Sequence, residues 1–133
     1  MEALEVVSAR DKTGVDLIDI SGGTYFPGAK SASDRAASRP YFLDFAKRAR
    51  KQTDRPLMVT SEFKTFDQAA NALSSGGADL IGLARALVLA PDLAKRWLSD
   101  PSVNPAFPKF SSPPVGGITA WYTMRLTQLV SRS

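Results

Sequence analysis

Three short, largely apolar segments, each followed by small or polar residues, constrain most strongly what this chain can fold into. They are Val15–Ile20, Pro56–Thr60 and Ala78–Leu83, and segments long enough to form helices separate them. Their apolar residues do not alternate strictly with polar ones, which is typical of strands buried on both faces. We therefore predict a parallel sheet covered by helices, in which ligands bind at the carboxyl ends of the strands.

Helix signals fill the intervals between these strands. Thr65 and Gln68 have capping-box spacing, and the helix that they begin is predicted to stop at Gly76. The other predicted helices are residues 2–10, 40–52, 91–98 and 116–130, with a proline-rich loop over 100–114. The order is a repeating α/β unit that begins partway through a repeat, and right-handed connections place the strands side by side.

The composition excludes several kinds of chemistry. The chain has 133 residues, 44% hydrophobic and 23% charged, which is ordinary for one globular domain. It contains no cysteine and no histidine, which excludes disulfides, thiolate nucleophiles, the usual zinc sites and imidazole-based triads. Chemistry must therefore come from a cofactor, from carboxylates or hydroxyls, or from another chain, and we predict no catalytic residue and no metal site.

The net charge of +4 raises the question of a nucleic-acid partner. The densest basic cluster, residues 47–51, follows Phe42, Phe45 and Ala46 at helical spacing, so its charges are expected on a solvated helix face. We expect no nucleic-acid partner. No apolar stretch approaches the ~20 residues of a membrane span, and no signal-peptide pattern opens the chain. We therefore expect a cytoplasmic protein with no membrane partner.

Beyond these patterns, the residues themselves resemble a known family. Residues 14–23, 56–60 and 76–87, with Pro91–Leu93 after them, are similar to the last three strands of the old yellow enzyme family. These proteins are NAD(P)H:flavin oxidoreductases and ene-reductases built on a TIM barrel around FMN. The resemblance implies an α/β fold, a partial TIM barrel with three parallel strands, intervening helices and a C-terminal helix. Residues 1–100 would form barrel units, and residues 101–133 a proline-rich tail and terminal helix.

The resemblance also implies which residues bind FMN. In the family the ends of the last two strands hold the FMN phosphate, and TIM barrels in general bind phosphate there. Ala84 and Arg85 match the family's pair of a small residue and an arginine, with Arg85 binding the phosphate. A surface or salt-bridged Arg85 is the alternative interpretation. The expected reductant of the intact enzyme is NAD(P)H.

The loop after the second strand departs from the family pattern. Ser61 and Glu62 stand where the family usually has two glycines, and Lys64 stands where it often has arginine. Ser61 can still donate its amide and hydroxyl to a phosphate. The Glu62 carboxylate would repel a phosphate dianion unless its side chain points away, and Lys64 would partly offset that repulsion.

We also predict roles for four further residues. Tyr25 and Phe26 correspond to the region that lies over the flavin in the family, where they either contact substrate or pack at the barrel mouth. Asp19 and Asp79 lie in strands, and we expect structural roles for them, as helix caps or partners of arginine, because nothing pairs them at catalytic spacing.

Three strands are far fewer than the eight, in about 250 residues, of a complete TIM barrel. The family's hydride-transfer residues lie mostly on earlier strands, so we expect a fragment, a truncated product or one piece of a split barrel. Such a chain would be inactive alone. Its open sheet edges and bare apolar side chains predict self-association, pairing with the missing barrel part, or collapse under the tail and last helix.

Two alternatives to a flavin-binding fragment stay open at this point. One is a non-catalytic remnant whose sheet edge and terminal helix act as an oligomerisation or interaction module. The other is a fragment of a different phosphate-binding barrel, of aldolase or dehydrogenase type, because a fold does not dictate a function. The first reading differs from both in requiring FMN and, in the intact enzyme, a small-molecule substrate.

Overall fold

The computed structural model describes residues 3–22, 42–112 and 114–131. Helices and strands alternate as far as the third strand, and three helices follow it. A 3-10 turn, Arg50–Gln52, follows the second helix. The helices are α1 (Ala3–Asp11), α2 (Leu43–Ala49), α3 (Phe66–Ser74), α4 (Arg85–Leu89), α5 (Leu93–Ser99) and α6 (Gly117–Val130). The strands are β1 (Ile18–Ile20), β2 (Leu57–Thr60) and β3 (Leu80–Gly82). The predicted α/β order is confirmed, although α4, which directly follows the third strand, was not foreseen.

The three strands form one parallel sheet in the order β1-β2-β3. Ile20 lies opposite Val59, and Val59 lies opposite Ile81. Thr60 and Gly82, the last residues of β2 and β3, lie opposite each other. This register confirms the predicted side-by-side strands, and it brings the loops that follow β2 and β3 to the same end of the sheet.

One face of the sheet carries the core. Ile20 is 6% exposed, and Leu57 and Val59 are fully buried, because α2 and α3 present small buried residues to this face. Close packing of alanines lets the helices approach the strands. Ala46, Ala49, Ala69 and Ala72 are the alanines of α2 and α3 in this cluster.

The opposite face is only partly covered among the described residues. Leu17 is 42% exposed and Leu80 is 46% exposed, while Asp19 is exposed and Met58 and Thr60 are half-buried. The sequence pattern predicted burial on both faces, and the described part of the chain fully covers only one. The buried alanines of the described helices α2 and α3 pack on the covered face.

Local signals act as predicted at α3. The Thr65 hydroxyl accepts a hydrogen bond from the Gln68 amide at 3.2 Å, which caps the helix. The Gln68 side chain accepts one from the Lys64 amide at 2.7 Å, one residue earlier than in the usual capping box. Gly76 has a φ of +70° just beyond the helix, a left-handed conformation that glycine adopts without steric cost.

Asp79 binds elements together at the amino end of β2. Its carboxylate accepts a hydrogen bond from the Leu57 amide at 2.8 Å and forms an ion pair with Arg50. The pKa of Asp79 is lowered, first by the Leu57 amide and then by Arg50, against an opposing effect of burial. This is the arginine-paired structural role expected for Asp79. Asp19 differs, since it accepts a hydrogen bond from the Thr60 hydroxyl at 2.9 Å instead of capping a helix or pairing with arginine.

The tail that follows α5 is irregular but anchored. The Trp97 indole donates a hydrogen bond to the Val103 carbonyl at 2.7 Å, and Phe107 packs against the core. Phe110 contacts Trp121 edge-to-face at 5.6 Å, which ties the tail to α6. None of the helices within the described ranges is long and apolar enough to cross a membrane.

Candidate functional site

The carboxyl ends of β2 and β3 bring two of the predicted residues into direct contact. Because Thr60 lies opposite Gly82, the residues that follow each strand are neighbours in space. The Arg85 guanidinium donates from Nη1 to Glu62 Oε1 at 3.1 Å. Glu62 and Arg85 are 23 positions apart in sequence, so this pair forms only because the two strands are adjacent.

Ser61 and Ala84 flank this ion pair in the chain. Ser61 is half-buried, and its carbonyl accepts a hydrogen bond from the Phe63 amide at 2.9 Å in a tight turn. Phe63 is 2% exposed and anchors the loop in the core. Ala84 is exposed and directly precedes α4. All four residues expected at the phosphate site therefore lie at this one end of the sheet.

The Glu62 carboxylate does not point away from Arg85, as phosphate binding would require, but towards it. The alternative interpretation of Arg85, a salt-bridged arginine, thus describes the arrangement in this structure. The two side chains are 31% and 24% exposed for Arg85 and Glu62 respectively, so the pair is partly shielded from water. The second carboxylate oxygen, Glu62 Oε2, is buried and has no hydrogen-bond partner among the described residues. A buried unpaired acceptor of this kind costs about 1–3 kcal/mol.

Tyr122 is a third member of the site, and the sequence did not identify it. Its ring lies 5.5 Å from the Arg85 guanidinium carbon, within the range of a cation–π contact. The side chain reaches the site from α6 and is 8% exposed. Burial raises the pKa of the Tyr122 phenol, Arg85 opposes this rise and Glu62 adds to it. The phenol is therefore neutral at physiological pH.

The signal that could have found Tyr122 was present but incomplete. Ile118, Trp121 and Tyr122 form a stripe that predicts one packed face of the last helix. That stripe does not say which element the helix packs against. The contact between α6 and α4 decides this, and it brings Tyr122 to the residue that begins α4, Arg85.

Of the other residues singled out in the sequence, Lys64 lies among the described residues, whereas the loop that contains Tyr25 and Phe26 does not. The Lys64 ammonium lies 5.7 Å from the centroid of the Phe107 ring, so it contacts the tail. Tyr25 and Phe26, the predicted substrate-loop residues, lie outside the described residues.

Within the described ranges no three acidic side chains cluster as metal ligands do. A groove of about 440 Å³ lies between the tail and α6, lined by residues such as Pro108, Trp121 and Arg125, and is distinct from the strand ends.

These residues can be tested against the phosphate of the FMN that the resemblance implies. The donor set suits an anion, because Arg85 is partly exposed and its one hydrogen bond to a described side chain uses a single donor of its guanidinium. The Ser61 hydroxyl lies in the adjacent loop and adds a further donor. The Glu62 carboxylate opposes an anion, because it already occupies the guanidinium. The site thus fits a phosphate group in its donors but contains its own competing anion.

No model of a known protein family matches the sequence. Three curated relatives do match it. One is NADH-dependent flavin oxidoreductase iliE of Neonectria sp. (strain DH2), 35% identical over 115 residues, covering 77% of this chain. Another is the protein of the same name of Hypocrea jecorina (strain QM6a), 32% identical over 121 residues, covering 84%. The third is NADH-dependent flavin oxidoreductase iccE of Talaromyces variabilis, 38% identical over 100 residues, covering 68%.

The chain spans only part of these relatives, namely 15%, 29% and 24% of their lengths in the same order. Among solved structures, a variant of NCR from Zymomonas mobilis, an old yellow enzyme TIM barrel, matches with a TM-score of 0.53. The match is 22% identical and covers 75% of this chain and 30% of that one. This likeness supports the fold of a partial barrel. Over the part of these proteins that it spans, the chain is therefore a sequence relative of proteins named NADH-dependent flavin oxidoreductases, in agreement with its resemblance to the old yellow enzyme family.

Proposed function

We propose that the chain is the FMN-binding, C-terminal part of an NAD(P)H-dependent flavin oxidoreductase of the old yellow enzyme type. The observation that carries this proposal is the 32–38% identity, over most of the chain, to proteins named NADH-dependent flavin oxidoreductases. Residues 1–100 supply barrel units, and residues 101–133 supply the tail and closing helix. The relatives' names favour this proposal over an aldolase- or dehydrogenase-type barrel.

The proposed site lies where β2 and β3 end. Arg85 binds the FMN phosphate through charge-assisted hydrogen bonds, and Ser61 donates from its amide and hydroxyl. Ala84 leaves room for the ligand because it has only a methyl group. Tyr122 packs on the guanidinium and holds Arg85 at the strand ends. Glu62 lies in the same site as a counter-charge to Arg85.

When bound, FMN supplies the redox chemistry, accepting hydride from NAD(P)H and passing it to the β-carbon of an activated alkene. The chain's own contribution is to bind and orient the phosphate end and to form one side of the active-site mouth. It contains no histidine, and we assign it no catalytic residue. We therefore expect the chain alone not to catalyse turnover, and a cytoplasmic location stays a prediction.

The missing barrel strands are the proposed partner. The partly covered face of the sheet presents Leu17 and Leu80, at 42% and 46% exposure, where a barrel would place interior side chains. The outer strands of the sheet, β1 and β3, each pair with one described neighbour only, so further strands can add at both edges.

A chimera tests the proposal. The aligned part of this chain would replace the corresponding segment of the Hypocrea jecorina relative, and the purified chimera would be examined for bound flavin and NADH oxidation. We expect a yellow protein with a visible flavin absorbance band. A chimera that is folded by circular dichroism and monodisperse, yet contains no flavin while the parent does, would contradict the proposal. Arg85→Gln in the chimera is the matched site control and should lower its flavin content.

The partly covered sheet face specifically favours a second candidate, a non-catalytic interaction module. In this reading the same apolar side chains bind another copy of the chain or another subunit. Sedimentation and FMN titration of the purified chain together distinguish the interaction module from the flavoprotein fragment. A stable dimer without any affinity for flavin favours the module, whereas a chain that binds FMN favours the flavoprotein fragment.

A further inference from the structure

The Glu62 carboxylate is already hydrogen-bonded to Arg85, the arginine at the ends of β2 and β3. Glu62 Oε1 accepts a hydrogen bond from Arg85 Nη1 at 3.1 Å. Tyr122 covers the guanidinium at 5.5 Å, which leaves fewer directions from which another anion can approach. A carboxylate and a phosphate oxygen make the same kind of charge-assisted contact with a guanidinium, so they are alternative occupants of this arginine.

Both anions cannot bind without a cost. A phosphate on Arg85 would lie within a few ångströms of the Glu62 carboxylate, and like charges at that distance in a partly shielded site repel each other. The site is partly shielded, since both side chains are less than one-third exposed. A phosphate must therefore displace Glu62 from Arg85 or bind against its charge.

The surroundings of Glu62 favour its displacement from Arg85. Its Oε2 atom is buried with no hydrogen-bond partner among the described residues. Rotation of the side chain into solvent would hydrate that oxygen, which offsets part of the lost contact with Arg85. Breaking the pair therefore costs less than breaking one in which both carboxylate oxygens are hydrogen-bonded.

We infer that Glu62 competes with phosphate for Arg85 and thereby lowers the affinity of this site for a phosphate-bearing flavin relative to the same flavin without its phosphate. The assignment of the ligand as a flavin rests on the proposed function. The competition for Arg85 does not. Glu62 is accordingly a specificity-determining residue that acts on the phosphate end of the ligand.

The test uses the full 133-residue chain and a matched set of variants. Glu62→Gln keeps the shape and removes the charge, and Glu62→Gly removes the side chain altogether. Asp54→Asn makes the same change of net charge at an exposed residue just before β2, at the opposite end of the sheet. Glu62→Gln combined with Arg85→Gln removes the cation. Circular dichroism confirms that each variant is folded, and Glu62→Gly substitutes for Glu62→Gln if the latter does not fold.

Two measurements are made on each protein. Titration with inorganic phosphate is followed by the NMR signal of the arginine Nε–H groups, which reports phosphate binding without any flavin. Binding of FMN and of riboflavin is followed by quenching of flavin fluorescence. We expect Glu62→Gln to bind phosphate and FMN about tenfold more tightly than the natural chain, with riboflavin unchanged. Asp54→Asn should resemble the natural chain, and the double variant should lose the gain.

The outcomes separate this inference from the proposed function. Equal phosphate affinity in the natural chain and both Glu62 variants, to within about twofold, overturns the inference even if FMN binds. An equal gain in Asp54→Asn also overturns it, because the effect is then one of net charge. A gain in phosphate affinity that needs Arg85 supports the competition even in a chain that binds neither flavin, and the flavin content of the chimera decides the flavin proposal separately.

Discussion

The two faces of the sheet belong to the same strands but differ in how far their side chains are buried. On the helix side, Leu57 and Val59 are fully buried against the alanines of α2 and α3. On the other side, Leu17 and Leu80 are about half exposed. One face is buried within this chain, and the other carries apolar side chains that the described residues leave partly exposed.

This difference shows that the pairing of strands into a sheet does not by itself bury both faces of the sheet. Parallel pairing and one packed face are sufficient to hold β1, β2 and β3 in register. Burial of the second face needs further structure, and in the proposed intact barrel that structure is the other strands. Substitutions on the two faces should therefore differ in what they change, namely stability on one and association on the other.

The largest effect is expected from Leu57→Ala. This side chain is fully buried, and its truncation leaves a cavity that costs about 2–5 kcal/mol of unfolding free energy. Leu80→Ala is the matched control on the open face, where we expect a loss of about 0.5 kcal/mol or less. Urea unfolding monitored by circular dichroism measures both. Equal losses of unfolding free energy at Leu57 and Leu80 would show that the two faces contribute equally to stability.

Gly82→Ala should have the next largest effect, because it tests a tight contact on the open face. A Cβ at this position would overlap the Thr60 side chain directly opposite. We expect a loss of about 1–3 kcal/mol from this overpacking. Combined with Thr60→Gly, the loss should be smaller than the sum of the single losses, in a double-mutant cycle of unfolding free energies. Additive losses would argue against the contact.

Asp79→Asn should have a smaller and pH-dependent effect at the amino end of the helix-side face. The pKa of Asp79 is lowered, mainly by the Leu57 amide, so its ionised form stabilises the folded chain. That contribution is present above the unfolded pKa of about 3.8 and is lost as the pH falls through the lower, folded value.

Because the Asp79 side chain is half exposed, we expect Asp79→Asn to cost about 1 kcal/mol or less at neutral pH. Thermal unfolding between pH 2 and 7 measures this. The natural chain and the variant should converge in acid. A difference that persists at the lowest pH would show that the effect is not one of charge.

The smallest effect on stability is expected from Leu80→Lys, which should instead weaken self-association. A charge on the open face opposes its burial against another chain, while the exposed position leaves folding nearly unchanged. Leu98→Lys on α5 is the control, since that residue is 91% exposed and lies elsewhere on the surface. Sedimentation velocity over a range of concentrations measures association. An identical response to both changes would remove the open face as the interaction surface.

Much of the fold follows from local pattern. The Thr65–Gln68 cap spans four residues, and the glycine after α3 acts on its own turn, so both could be predicted without tertiary information. Strand positions followed from apolar runs in the same way. Helix α4 was missed because Arg85–Leu89 is short and continues an apolar strand segment without a turn signal.

The candidate site was predictable only in part. Ser61, Glu62, Ala84 and Arg85 could be placed at the strand ends because they directly follow predicted strands. The partner of Arg85 could not, since a surface arginine, a salt bridge and a phosphate site share one sequence pattern. The structure selects Glu62 as that partner in the described chain.

By itself, the sequence determined the α/β order, the three parallel strands, the helix cap at Thr65 and the family resemblance, since each depends on residues near one another in the chain. Only the tertiary structure decided that Glu62 meets Arg85, that Tyr122 covers it from α6, and that Arg50 pairs with Asp79. The physical reason is sequence separation. Such contacts depend on strand register and on how helices pack, and neither is encoded in any one segment.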